Sequence, residues 1–451
     1  VEEKSMARII PGVQVTVVKE VVPPQLSPSG VLGLIGITEN EVPADSNTVR
    51  ASSWSRFVEV CGAASAYSLP EARQALANGV FELVIVPLKS SVASKASVDL
   101  AIGKSKTFKL EARAAGTWAN GFRVLVSHRA EKFDLEIRPP VGDAIEVHRG
   151  LDHTKLAESL QAASAVIRAG GPGNPGEAPA AGEYVLAAGK DAGEADYVNA
   201  LQHLGNESDV DMVLAAVQDF GNVDSVTRIY SAVIAHCNQM SSNSQGRVGF
   251  GQVPPTAGDT DAKKMAPALL SERFVLLAPH GVAGAVAGRI GSLDYFESPT
   301  FKTLSGMGSL SRALPLEEQG SLLSSSVVPV VEQRGRGVIV LRGITTDGDQ
   351  ISVRRIADRA VRGVRMLGEM FIGRLNSEDG RGALKQKLIE FLVQMEKEGA
   401  LVRSADGKEP AFTANVHSSP ADFAQGIVRV DIAVRPVRAI DFIYATIFVQ
   451  V

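Results

Sequence analysis

Gly103-Lys104-Ser105 supplies the lysine and hydroxyl that close a phosphate loop, the pair that would meet a nucleotide's phosphates and its magnesium. Such a loop also needs an earlier glycine, so that successive backbone N–H groups can wrap the phosphates, and that position is Val98. The nest is missing. Gly281, Gly284, Gly288 and Gly291 lack the G-x-G-x-x-G order of a dinucleotide turn and read instead as close packing or a flexible turn. Of the seven histidines none lies in HExxH; His148 and His153 are near neighbours at a spacing that fits no standard metal motif. Cys61 and Cys237 stand far apart and read as core thiols rather than a disulfide framework or a thiolate zinc site. No GxSxG elbow presents a nucleophilic serine. Spacing therefore assigns no catalytic, cofactor-binding or metal-binding residue.

One basic constellation stands out. Arg354, Arg355, Arg359, Arg362 and Arg365 surround Val353, Ile356, Ala360, Val364 and Leu367, with Arg334, Arg336 and Arg342 upstream. Such a helix could follow a phosphate backbone, yet no aromatic side chains interleave with it. A solvated or protein-contacting face is the competing reading. The formal charge of −4 over 451 residues gives no global pull toward nucleic acid or an anionic membrane. No run of eighteen apolar residues occurs, and Val1 to Met6 lacks the apolar stretch of a secretory signal, so the chain is expected to be made and assembled in the cytosol.

The elements that would position these groups alternate between two periods. Val31 to Ile37 and Phe81 to Val86 are continuous apolar runs of the kind buried on both faces of a sheet, with a helical stretch from Pro70 to Ala77 between them. Segments of period two at 108–112, 122–126, 133–137 and 144–147 read as a small antiparallel insert on the surface. Residues 169–183, rich in glycine and proline, read as an exposed loop without regular structure. Helical spacing returns at Asp224 to Cys237, where Val226, Ile229, Tyr230, Val233 and Cys237 share a face, and Phe274 to Leu277 follows as a strand. Leu384, Leu388, Phe391, Leu392 and Met395 form the stripe of a helix that should stop at Gly399. Val428, Val430, Ile432 and Val434 alternate with polar residues until Pro436 ends the strand.

Both ends read as lone strands. Val13, Val15 and Val17 alternate ahead of Pro23-Pro24, and Phe442 to Val451 is a β-rich apolar segment with nothing after it to cover it.

Taken in order, several segments resemble the tail sheath proteins of contractile phages, contractile bacteriocins and extracellular contractile injection systems. Pro11-Gly12-Val13 is similar to the family's opening, Val31 to Thr38 to its first core strand, and Ser53-Trp54-Ser55-Arg56-Phe57 followed by Gly62 and Asn78-Gly79 to its next portion. Gly116-Thr117-Trp118-Ala119-Asn120 resembles its G-T-W-G-N turn, with Ala119 in the place of a glycine, and Cys61 replaces a common phenylalanine. Gly335 to Thr345 resembles a strand that usually ends W-G-A-R-T, with Leu341 where tryptophan is usual; Val353-Arg354-Arg355, Gly399-Ala400-Leu401 and Pro436 to Phe442 continue the likeness.

The resemblance implies a virion-type structural protein and no enzyme: a subunit that polymerises as stacked hexameric rings around an inner tube and contracts to drive that tube through a target envelope. It implies a mixed α/β, multi-domain fold: an N-terminal arm (1–24), an outer domain (25–330) with a β insert near 104–150, an inner α/β domain (331–436) completed by swapped terminal strands, and a C-terminal linker strand (437–451). Val13, Val15 and Val17 would link subunits through one arm, and Phe442, Tyr444, Ile447, Phe448 and Val449 through the other. Lys385, Lys387, Glu390 and Glu396 are the expected tube-facing charges. Expected partners are further copies, the inner tube protein, and baseplate and terminator or cap proteins, with no cofactor, no direct nucleic-acid contact and no membrane insertion. Assembly is expected in a bacterial host's cytoplasm, for a virion tail or a released particle. Two other readings stay open: an α/β enzyme using a small-molecule site at strand ends with 169–183 as a lid, and a nucleic-acid-binding protein using the 354–365 arginine helix.

Overall fold

The computed structural model describes residues 28–40, 47–104, 106–129, 131–217 and 222–444. Its largest layer is an eight-stranded sheet, in the spatial order Gly337–Val340, Val327–Gln333, Phe274–Ala278, Val248–Gln252, Met212–Ala215, Val31–Gly36, Glu82–Pro87, Val49–Ala51. The six inner strands are parallel and the two outer ones antiparallel. Val31–Gly36 lies inside this order, and the chain builds outward from it on both sides, the connectivity of a doubly wound sheet.

Both faces are covered, which is why these strands are apolar without interruption. Val31 and Ile35 face one layer, with Tyr197, Leu201, Val226, Ile229, Tyr230 and Val233 from the helices Glu194–Leu204 and Val223–Ser242. Leu32 and Leu34 face the other, with Phe57, Leu69, Ala72, Val286 and Ile290. The helix Pro70–Ala77 packs there against Ala283–Ser292. The glycine series explains how closely: a Cβ at Gly284 would meet the Glu71 carbonyl oxygen at 2.4 Å, and one at Gly288 the Ala75 carbonyl oxygen at 2.4 Å. The spacing that resembled a nucleotide turn is a helix-to-helix contact.

A second unit is inserted after Glu82–Pro87. A three-stranded sheet (Ser97–Ile102, Lys106–Ala112, Ile167–Ala169) and a four-stranded one (Gly182–Val185, Arg123–Arg129, Lys132–Arg138, Glu146–Leu151) share a core that includes Leu110, Phe133, Leu135 and Ile137. The insert thus runs well beyond 104–150, because late strands return to pair with early ones. The loop 169–183 gives up both ends to those strands, and its middle is pinned: Gly170 N–H donates to the Lys109 carbonyl (2.8 Å), Ala180 N–H to the Ala101 carbonyl (2.8 Å) and Ala157 N–H to Asn174 Oδ1 (2.7 Å).

The C-terminal unit follows the edge strand Gly337–Val340. The expected boundary at 330 falls within Val327–Gln333, a strand of the large sheet. Helices Ile351–Glu369 and Glu378–Lys397 carry a two-stranded hairpin, Phe412–His417 paired with Arg429–Val434. Leu384, Leu388, Leu392 and Met395 are buried, each contributing about 1.5–3 kcal/mol relative to exposure. The helix stops before Gly399, whose φ of +84° suits a residue without a side chain.

Candidate assembly interface

The groups that could do chemistry are engaged in structure. Gly103 (φ +54°) and Lys104 turn the chain between two antiparallel strands of the insert, so they open no helix that could receive phosphate. Cys61 and Cys237 are buried, and burial pushes both thiols up to about 12. His148 is not a surface side chain; its Nε2 lies 3.0 Å from Glu146 Oε2. Among the described residues no three His, Cys, Asp or Glu side chains gather to hold a metal.

At the topological switch point, between Val31–Gly36 and Met212–Ala215, a doubly wound sheet offers its ligand crevice at the carboxyl ends. Here Leu69 sits against Gly36, where a Cβ would come within 2.4 Å of it, and Tyr197 O–H donates to the Ala216 carbonyl at 3.0 Å. Among the described residues, Leu69 and Tyr197 occupy this end of the two strands. The loop 169–183, pinned to the insert, supplies no lid over it.

The arginine helix, Ile351–Glu369, turns the guanidinium groups of Arg355 and Arg362 inward and leaves Arg365 exposed. Arg362 donates to the carbonyls of Ser208 (3.1 Å), Val210 (2.6 Å) and Gly246 (3.0 Å), which lie just before two strands of the large sheet. Arg355, itself buried, donates to the carbonyls of Asp294 (3.2 Å) and Leu293 (3.3 Å). Arg359 lies 5.6 Å from the ring centre of Tyr295, and Arg365 donates to Glu369 (2.9 Å) and the Asn243 carbonyl (2.8 Å). Arg354 meets Glu272 (2.9 Å) and Asp358 (3.1 Å). Burial lowers the pKa of Arg355 and Arg362 from the ordinary arginine value. Together they line a polar cavity of about 340 Å³ with Asp209, Asp211 and Asp358, at the amino ends of the strands. These arginines join the C-terminal unit to the large sheet.

What the C-terminal unit leaves open is backbone. Phe412, Ala414, Val416, Val430, Ile432 and Val434 turn one face of the hairpin onto the two helices; for Val430, Ile432 and Val434 the alternation predicted this, whereas the strand Phe412–His417 was not read from the sequence. Each strand has a single neighbour among the described residues, so each has one edge without a ladder partner. Such edges are templates for another strand. Close by, the tail leaves the unit: Ile443 and Tyr444 are 84% and 95% exposed.

Val13, Val15, Val17, Ile447, Phe448 and Val449 lie outside the described residues. Phe442 is 65% exposed, with Arg342 over its ring at 5.2 Å. The four expected tube-facing charges do not share one surface. At about 100° per residue, Lys385 and Glu396 fall on one flank of the apolar stripe, and Lys387 and Glu390, paired at 2.8 Å, on the other. A list of charges along a helix gave no signal for that split; projecting them around its axis would have.

Comparison with known proteins agrees with this architecture. The model for the phage tail sheath protein central domain matches residues 190–346, and that for the phage tail sheath C-terminal domain matches 345–450. No curated protein matches. Among solved structures, the contracted PVC sheath complex of an extracellular contractile injection system is similar at 13% identity, covering 97% of this chain and 98% of that one, with a TM-score of 0.58. The contracted helical sheath of the anti-feeding prophage is similar at 14% identity, over 97% and 99% of the two chains, with a TM-score of 0.56. A sheath tail protein from Desulfitobacterium hafniense is similar at 16% identity, over 95% and 97%, with a TM-score of 0.55. These structures share the fold. The two adjoining domain matches together span more than half of the 451 residues, and the chain belongs to the phage tail sheath protein family, as a structural subunit of a contractile sheath.

Proposed function

We propose that copies of this chain assemble as hexameric rings, stacked helically around an inner tube protein, and that the sheath contracts to drive the tube through a target envelope. The observation that carries the reading is the hairpin Phe412–His417/Arg429–Val434, apolar on one face and, among the described residues, without a ladder partner along either outer edge. A strand lent by a neighbouring copy pairs there by main-chain hydrogen bonds, while the alternation of its side chains sets the register. Val13 to Val17 at one terminus and Ile443 to Val451 at the other have the composition for it. This completes the unit and tethers subunits while other contacts change.

Baseplate proteins at one end and a terminator or cap at the other bound the polymer. The structures similar to this chain include anti-feeding prophage baseplates and contracted sheaths, which supports placing it in such a particle. It is assembled in a bacterial cytoplasm and carried in a virion tail or a released particle. Among the described residues no helix is long and apolar enough to cross a membrane. The tube contact is made by one flank of Glu378–Lys397, either Lys385 with Glu396 or Lys387 with Glu390. Exposed charge pairs are worth about 0–1 kcal/mol each, weak enough to release during firing.

Negative-stain electron microscopy of the full-length chain, expressed with its genomic neighbours, tests the proposal. Hollow striated cylinders are expected; small compact particles under every condition would overturn it.

A further inference from the structure

The segment before the exposed tail is held at Val437, Arg438, Ala439, Asp441 and Phe442, the last four by the linker between Gly337–Val340 and Ile351–Glu369, while Ile440 among them is 79% exposed. Val437 N–H donates to the Ala400 carbonyl at 2.9 Å. Arg438 pairs with both carboxylate oxygens of Asp349, at 2.6 and 3.3 Å. Gln350 closes a two-way amide pair with Ala439, its Nε2 donating to the carbonyl (2.9 Å) and its Oε1 accepting the N–H (2.8 Å). Arg342 Nε and one Nη each reach Asp441 Oδ2 at 3.0 Å, and the same guanidinium covers Phe442. After Phe442 the described chain has nothing comparable, and Ile443 and Tyr444 stand in solvent.

We propose that Arg342, Asp349 and Gln350 form a clasp that stays closed while the C-terminal strand is exchanged. The hinge of the arm is then the Phe442–Ile443 junction, and only the chain from Ile443 onward is lent to a neighbour. This rests on the strand-exchange reading and adds to it the residues that position the arm. A side-chain amide paired both ways with the main chain resists axial pull together with ion pairs, whereas an apolar contact alone would slide; charge-assisted and bidentate pairs are the stronger hydrogen bonds. The point of departure is thereby fixed relative to the large sheet, because Arg342 and Gln350 follow directly from its edge strand.

The test uses full-length chain with Asp349→Cys and Arg438→Cys, bridged by a short bismaleimide. The native Cys61 and Cys237 are buried and do not compete. With its clasp locked, the bridged protein is expected to form cylinders with no loss relative to the unmodified chain. If the unbridged variant loses cylinders and bridging restores them, the clasp is again supported. Cylinders from the unbridged variant but none after bridging, or none from either while the reversed pair Asp349→Arg/Arg438→Asp also fails, would overturn it. A chain ending at Phe442 separates the two ideas: cylinders from that truncation contradict strand exchange itself, whatever the bridged variant does.

Discussion

Arg273 and Asp358 face each other as a bidentate ion pair, with N–O distances of 2.8 and 3.0 Å and side chains only 4% and 10% exposed. The pair joins the start of the strand Phe274–Ala278 to the arginine helix, and Arg273 also donates to the Arg247 carbonyl and to Ser241. Removing one partner strands a buried charge, at a cost of about 3–5 kcal/mol. Asp358→Ala should therefore lower stability by that order in urea denaturation, and Arg273→Met combined with Asp358→Leu should recover most of the loss.

Glu71 gives a pH dependence of known sign. Burial pushes its carboxyl up to about 7 from 4.5; Oε2 has no hydrogen-bond partner among the described residues, and Oε1 accepts one from Gln252 Nε2 at 3.3 Å. The raised pKa means the folded chain favours the protonated form. Stability from this group is complete below pH 4.5 and is lost as pH rises to about 7. Glu71→Gln should match the natural chain below that window and exceed it by about 2–3 kcal/mol at pH 8, read as the difference between their urea midpoints at each pH.

Gly284 tests the helix contact. A methyl there meets the Glu71 backbone at 2.4 Å, and backbone cannot swing aside as a side chain can. Gly284→Ala should destabilise by about 1–3 kcal/mol through overpacking, despite alanine's better helix propensity. A melting temperature equal to the natural chain's would contradict the close-packing account.

Arg362 separates a structural arginine helix from a nucleic-acid-binding one. Its substitution by alanine leaves three carbonyls at the amino ends of the sheet without that donor, so the expected loss is in thermal stability, by about 1–3 kcal/mol. Filter binding to duplex DNA across a salt series should not change between Arg362→Ala and the natural chain. A steep salt-dependent affinity abolished by the substitution would favour the rival reading.

Much of the fold was legible because the signals were local. Apolar runs marked Val31–Gly36 and Glu82–Pro87, the stripe Leu384 to Met395 marked its helix, and the alternation from Val428 marked the second strand of the hairpin. Illegible parts depended on partners far along the chain. The insert's extent was set by Gly182–Val185 returning to Arg123–Arg129, and the arginines' role by carbonyls 61 to 154 residues away. A guanidinium bound to main-chain carbonyls leaves no pattern in the sequence of its acceptors. Nor does anything in the sequence beside Phe442 announce Arg342 over its ring.

Strand exchange between copies is tested most directly by mixing two single-cysteine variants, Asn415→Cys on the hairpin and Ile447→Cys on the arm, and oxidising after assembly. The account predicts disulfide-linked dimers joining one variant to the other, and a ladder of higher multiples when both cysteines are placed in one chain. Exclusively monomeric bands from well-formed cylinders would contradict it.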